Sequence, residues 1–196
     1  MADTNKIRYG IKGCYYAVAT IAADGTATYT TPVALPGAVS LSLSPEGDTT
    51  PFYADNIVYY TAIANNGYSG DLELAKIPDS FLTDCLGYAA DTNGVLYEDA
   101  GASPVNFALL FQFEGDDKAT KHVLYKCSAT RPQIAGATTE ETIEPQTETL
   151  NITADAITVA AVNEDVVKAS VKYGDAAYAN WFSAVHQPTA SPIITT

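Results

Sequence analysis

Apolar and polar positions alternate along much of this chain, the period that turns one face of an extended strand toward a core and the other toward water. The alternation is plain in Val39-Ser40-Leu41-Ser42-Leu43, where apolar and hydroxyl residues take turns. Upstream, Gly13 to Ile21 reads as a strand, and Asp24-Gly25 as the tight turn into a second strand, Thr26 to Thr31, which makes a hairpin. Ile57-Val58-Tyr59-Tyr60-Thr61 is β-branched and aromatic and also reads as a strand. Between it and Leu43, Pro45, Gly47 and Pro51 interrupt any regular ladder, so residues 45–56 are expected to project as a loop. That loop holds Phe52 and Tyr53 beside Asp48 and Asp55, a mixture better suited to meeting a partner than to staying solvated. Asn65-Asn66-Gly67 then predicts a turn from the Ile57 strand into Tyr68 to Ala75, a further hairpin.

One segment follows a helical period instead. Pro78-Asp79-Ser80 offers a start, Phe81, Leu82, Cys85 and Leu86 share a face, and Gly87 offers a stop, which predicts a short amphipathic helix covering one face or open end of a sheet. Pro104 to Phe113 is the most apolar run and is expected to be a strand buried on both faces. Glu114 to Asp117 turns it into a partner over Thr120 to Ser128. From Arg131 to Pro145 there is little to bury, and a second projecting loop is expected before strand character resumes at Glu148 to Ala154 and Asp165 to Tyr173. Asp175 to Val185, with Tyr178, Trp181 and Phe182 on one helical face, is a candidate short C-terminal helix. These readings predict a mainly β, antiparallel sandwich or barrel with a flanking helix at about 79–87. The organisation expected is an N-terminal arm over 1–12, a single β domain over 13–185 and an extended tail over 186–196.

Charge narrows the function. Of 196 residues, 23 are acidic and 10 basic, giving a net charge of −13. No Lys or Arg occurs from Gly13 to Ala75, and seven acids stand without a base between Pro132 and Val167. Specific nucleic-acid binding is disfavoured, because that affinity rests on neutralising phosphates; an acidic surface could instead let DNA slide past. There is no apolar run of membrane-spanning length and no secretory apolar region behind Met1, so residence in a cytoplasm and no membrane contact are expected. Cys14, Cys85 and Cys127 are widely spaced and read as buried thiols.

Motifs with catalytic chemistry are not found. His122 and His186 cannot form a metal pair, Gly67-Tyr68-Ser69-Gly70 lacks the fifth position and the strand-to-helix context of a nucleophile elbow, and Asp91 to Gly94 lacks the ligand series of a calcium loop. Glu46 with Asp55 has only the chance proximity that an acidic chain produces, and solvated charge is the stronger reading. The expectation is no enzyme, no cofactor and no metal.

Ala34 to Phe81 (ALPGAVSLSLSPEGDTTPFYADNIVYYTAIANNGYSGDLELAKIPDSF) resembles the characteristic region of the major tail proteins of phages with long non-contractile tails that infect Gram-positive bacteria. The segments NKIRYGIKGCYYAV, CSATRP and EPQTETLNITA resemble further parts of those proteins in the same order; the Glu140-Glu141 loop and the tail after Val185 fall outside the likeness. The resemblance implies a tail-tube subunit of the virion, assembled in the host cytoplasm as hexameric rings stacked into the conduit through which DNA leaves the capsid. Its partners would be other copies of itself, a tape measure protein and tail tip or terminator proteins, with DNA passing unbound. The candidate subunit and ring interface residues are then Lys6, Arg8, Glu46, Asp48, Phe52, Tyr53, Asp55, Arg131, Glu140, Glu141 and Glu144, where basic clusters pair with a neighbour's acids and projecting loops supply contacts between rings. The rival is a virion-associated binding or decoration module recognising a receptor or carbohydrate. It would need a single aromatic patch, whereas a tube subunit needs several contact segments.

Overall fold

Strands form where the alternation predicts them, and the computed structural model describes the chain over residues 9–116, 118–136, 138 and 146–189. In chain order they are β1 (Tyr9–Ile21), β2 (Ala27–Tyr29), β3 (Val33–Ala34), β4 (Ala38–Pro45), β5 (Thr49–Ala54), β6 (Ile57–Ile63) and β7 (Tyr68–Leu74), then β8 (Tyr88–Ala90), β9 (Leu96–Glu98), β10 (Phe107–Glu114), β11 (Lys121–Ala129), β12 (Glu148–Asp155), β13 (Ile157–Val159), β14 (Glu164–Val166) and β15 (Lys168–Val171). The one helix among the described residues, α1 (Asp79–Cys85), lies between β7 and β8. Its limits follow the predicted punctuation: Pro78 precedes the first turn, and Gly87 takes a positive φ of 76° just past Leu86. The predicted mainly β, antiparallel fold with one flanking helix is what the chain adopts.

The main sheet runs β2-β1-β10-β11-β12-β7-β4, with β3 beside β1 and β15 beside β11. On its edge away from β10, β11 serves two partners, because Lys121 to Leu124 pair with β15 while Lys126 to Ala129 pair with β12. The sheet therefore splits there and curls, bringing β4 back toward β1 around a first core. Every second residue of β12 enters it, Leu150, Ile152 and Ala154, as the period-two pattern requires. Phe81 from α1 plugs one end of this core, meeting the Tyr16 ring edge-on at 5.0 Å and the Phe107 ring at 5.2 Å. The Tyr16 hydroxyl, on a side chain with no exposed area, donates to Asp84 at 2.8 Å and so ties β1 to the helix.

The run from Phe107 to Phe111 is buried at each position, as expected for a strand covered on both faces. Its second face, with Ala108 and Leu110, joins Val123 and Tyr125 of β11 in a second core. That core is covered by the β13–β14 hairpin, by Val171 and by Trp181 from the C-terminal segment. Gly70 in β7 lies where the ladder to β4 admits no side chain, since a Cβ there would collide with the Ser42 carbonyl oxygen.

Four expectations are corrected. Asp175 to Val185 is a succession of turns, not a helix: the Tyr178 amide bonds to the Asp175 carbonyl, Trp181 to Tyr178, and Ser183 and Ala184 both to Asn180. Its aromatics are drawn to separate receivers. The Tyr178 hydroxyl donates to the Ala119 carbonyl, the Trp181 indole N–H donates to the His122 carbonyl, and Phe182 stacks on Tyr15 at 4.7 Å. Residues 45–56 are not all loop, because Thr49–Ala54 is a strand. Its partner is β6, so the hairpin predicted between the Ile57 strand and β7 does not form; β7 pairs with β4 and β12 instead. The first strand begins at Tyr9 rather than Gly13, since Tyr9, Ile11 and Lys12 already pair with the far end of β10. Residues 1–8 of the predicted arm, 139–145 of the second loop and 190–196 of the tail lie outside the described residues.

Replacing Phe81 with Ala removes the plug and is expected to cost about 3–5 kcal/mol of folding stability. Urea denaturation reads this directly, and a loss below about 1 kcal/mol would show that α1 does not close the first core.

Candidate assembly surface

Among the described residues, the largest group of outward-facing large apolar side chains is on the β5–β6 hairpin: Phe52, Tyr53, Ile57, Val58, Tyr59 and Tyr60. Asp55 and Asn56 form its two-residue tip with φ of 51° and 61°, the left-handed pair that lets a tight hairpin follow the strand twist, and short polar side chains tolerate it best. β5 and β6 pair with each other and, among the described residues, with no other strand. Opposed residues share a face, so Phe52 and Tyr60 point one way while Tyr53 and Val58 point the other. Both faces are open: Phe52 is 61% exposed, Tyr53 63%, Tyr59 72% and Tyr60 64%. An isolated two-stranded hairpin is marginal in water, and contiguous exposed apolar surface marks a contact site.

The hairpin's root is built differently from its shaft. The Glu46 amide donates to the Gly67 carbonyl, the Asn66 amide to the Glu46 carbonyl and the Ala64 amide to the Asp48 carbonyl, and Ser69 donates its hydroxyl to the Glu46 carboxylate. Of the predicted interface residues, Phe52, Tyr53 and Asp55 thus lie on the shaft and tip, and Glu46 and Asp48 at the root. Glu46 and Asp55 stand at opposite ends of the hairpin, so it does not bring them together. Arg131 is elsewhere and engaged within its own chain: its Nε lies 2.7 Å from Glu98 Oε1 and its Nη2 donates to the Asp99 carbonyl at 3.0 Å. The Tyr88 hydroxyl donates to the same Glu98 carboxylate at 2.9 Å, which binds the β8–β9 hairpin to the start of the 131–136 segment. Lys6, Arg8, Glu140, Glu141 and Glu144 lie outside the described residues. Sequence reasoning assigned Ile57, Val58, Tyr59 and Tyr60 to a sheet strand and so missed them as surface. The signal was an Asp-Asn pair flanked by β-branched and aromatic residues on both sides, the mark of a two-residue hairpin turn.

A second surface is polar throughout. On the face of β4, β7 and β12 turned away from the first core, three rows cross the sheet: Ser40, Glu73 and Thr149; Ser42, Asp71 and Asn151; Ser44, Ser69 and Thr153. These groups bind one another. Ser40 donates to Glu73 at 2.8 Å, Asn151 to Asp71, and Ser128 continues the last row by a 2.7 Å contact with Thr153. Lys126 beside them is paired with Asp155 at 3.3 Å. The hydroxyls of Thr147 and Ser40 hold the Glu73 carboxyl below the usual glutamate range.

The thiols stay out of chemistry. Burial pushes Cys14 and Cys85 up to about 12 and Cys127 up as well, which keeps all three protonated inside the first core. His122 lies against Phe111 with ring centroids 5.3 Å apart, and His186 against Trp181 at 5.8 Å.

Two measurements check these surfaces. Replacing Phe52, Tyr59 and Tyr60 together with Ser should leave the stability of the isolated chain within about 1 kcal/mol, since none of the three is covered; a larger loss would mean the hairpin packs on its own subunit. For Glu73, folding depresses the pKa, so its contribution to stability is present above the ordinary glutamate value and fades as pH falls through the folded one. An NMR titration is expected to place Glu73 below an unperturbed glutamate, and a normal or raised value would contradict the hydroxyl network.

A family model described as phage tail tube protein matches residues 2–185. No curated protein matches the chain.

Proposed function

The chain belongs to the phage tail tube protein family, a structural component of the virion tail, and from that premise we propose that it is the ring-forming subunit of the tube. Six copies close a ring through heterologous contacts, and rings stack into the conduit by which DNA leaves the capsid. The carrying observation is the β5–β6 hairpin, whose apolar side chains face outward on both sides, so that a single contact on one side would leave the other uncovered. A receptor or carbohydrate module would be served by an aromatic patch on one side alone.

Within this reading Phe52, Tyr53 and Asp55 meet neighbouring subunits, while Glu46 and Asp48 brace the root from which the hairpin projects. Lys6 and Arg8 pair with acids such as Glu140, Glu141 and Glu144 across a subunit boundary. Arg131 orders the approach to the second loop through Glu98. The polar rows on β4, β7 and β12 suit the wall of the conduit. They present hydroxyls and carboxylates already bonded to each other, and the adjacent Lys126 is paired, so DNA phosphates find little to hold them. The subunit needs no catalysis and no cofactor for this work. It would assemble in the host cytoplasm around a tape measure protein, with tip and terminator proteins at the ends.

Negative-stain microscopy of the purified protein should show uniform rings or tubes. Removing residues 49–63 joins Asp48 to Ala64, whose carbonyl and amide already lie 3.0 Å apart, and should give a folded subunit that no longer lengthens tubes. A monodisperse monomer at high concentration, even with other tail proteins added, would overturn the reading, and normal tubes from the deletion would remove the hairpin's role.

A further inference from the structure

The first core is closed at one end only. α1 seals the end where Phe81 meets Tyr16 and Phe107, but at the other end an open groove of about 430 Å³ runs between β4 and β10–β11. Its lining is mixed: Leu41 and Leu43 of β4, Phe111 and Phe113 of β10 and Tyr68 of β7 supply apolar and aromatic walls, and Ser42, His122 and Lys168 supply polar ones. At its rim Lys168 places its ammonium 4.6 Å from the centre of the Tyr68 ring and forms no ion pair with a described carboxylate. The subunit thus has an open groove with aliphatic and aromatic walls and a cation at its rim and, on the β5–β6 hairpin, an uncovered apolar shaft with a carboxylate at its tip. The two are complementary in polarity and in charge, and no base occurs between Gly13 and Ala75 to spoil the match.

We propose that the open groove is the seat for the β5–β6 hairpin of a second copy of this chain, with Asp55 approaching Lys168. The proposal rests on the tube reading and says which surface the hairpin fills. It also indicates how the two copies are related. The hairpin leaves the sheet where Pro45 pairs with Tyr68, and Tyr68 lines the groove, so donor and seat lie at the same end of the molecule. A rotation that keeps that end uppermost brings one copy's hairpin over the next copy's groove, whereas a translation along the core would carry it to the end sealed by α1. The seat is therefore a contact between neighbours around a ring, and the hairpin's second apolar face is left to meet the adjoining ring.

Cysteine cross-linking tests this with little background, because the native thiols are at most 5% exposed. Lys168→Cys, on the exposed rim of the groove, is combined with Tyr60→Cys for one hairpin face or Tyr53→Cys for the other. In assembled tubes, mild oxidation should convert one of the two pairs into covalent dimers and higher multiples on a denaturing gel. Lys168→Glu should raise the concentration needed for assembly about fivefold, and adding Asp55→Lys should restore it. Tubes that form normally yet give no intermolecular cross-link with either pair overturn the seat and leave the tube reading standing. So does a cross-link confined to one chain, which would mean the hairpin closes its own groove. Failure of the wild-type protein to assemble at all overturns both.

Discussion

A strand that is apolar on both sides cannot rest against water on either, and β10 imposes this condition on the whole molecule. One side is satisfied by curling the sheet from β1 round to β4 and inserting Phe81 at the end. The other takes pieces from late in the chain: the β13–β14 hairpin, Val171 and the aromatic turns around Trp181. Burial of this size, at roughly 25 cal/mol per Å² of apolar surface, is what the sequence spends on holding a centre from which polar elements can be hung. The C-terminal segment has to cross the body to do its part. Its Trp181 bonds to the carbonyl of His122, and the His186 carbonyl accepts from the Tyr125 hydroxyl.

Against that anchored centre the β5–β6 hairpin stands apart. It shares no ladder with the main sheet, and it is attached through backbone bonds at residues 46–48 and 64–67. Body and hairpin follow opposite rules. In the body, apolar side chains fill two cores and the outer rows of β4, β7 and β12 are bonded hydroxyls and carboxylates; on the hairpin, apolar side chains are outside. The difference reflects where each finds its cover, the body within the chain and the hairpin, in our reading, on other copies of it.

The body was the more legible of the two. The helix Asp79–Cys85 announces itself through spacing and through Pro78 and Gly87, and Leu150, Ile152 and Ala154 sit at the period their burial requires. The apolar stretch from Phe107 was long enough to demand two covered faces. The hairpin was half legible: Phe52, Tyr53 and Asp55 looked like contact residues because Pro and Gly surround them. Ile57 to Tyr60 did not, because consecutive apolar residues read alike whether the cover comes from the same chain or from another. Spacing misled at the C-terminus for a related reason. Tyr178, Trp181 and Phe182 have helical intervals, yet the long-range bonds to Ala119, His122 and Tyr15 decide the backbone there.

The single plug at Phe81 has one more consequence. Because α1 closes the core at one end and the hairpin rises from the other, the subunit is a directional object, and a filament made by repeating it inherits that direction. Its two tips are then chemically unlike: one offers greasy arms awaiting cover, the other a finished helical lid. In our reading a tube built from such subunits has two unlike ends, and that asymmetry is already present in a single folded chain.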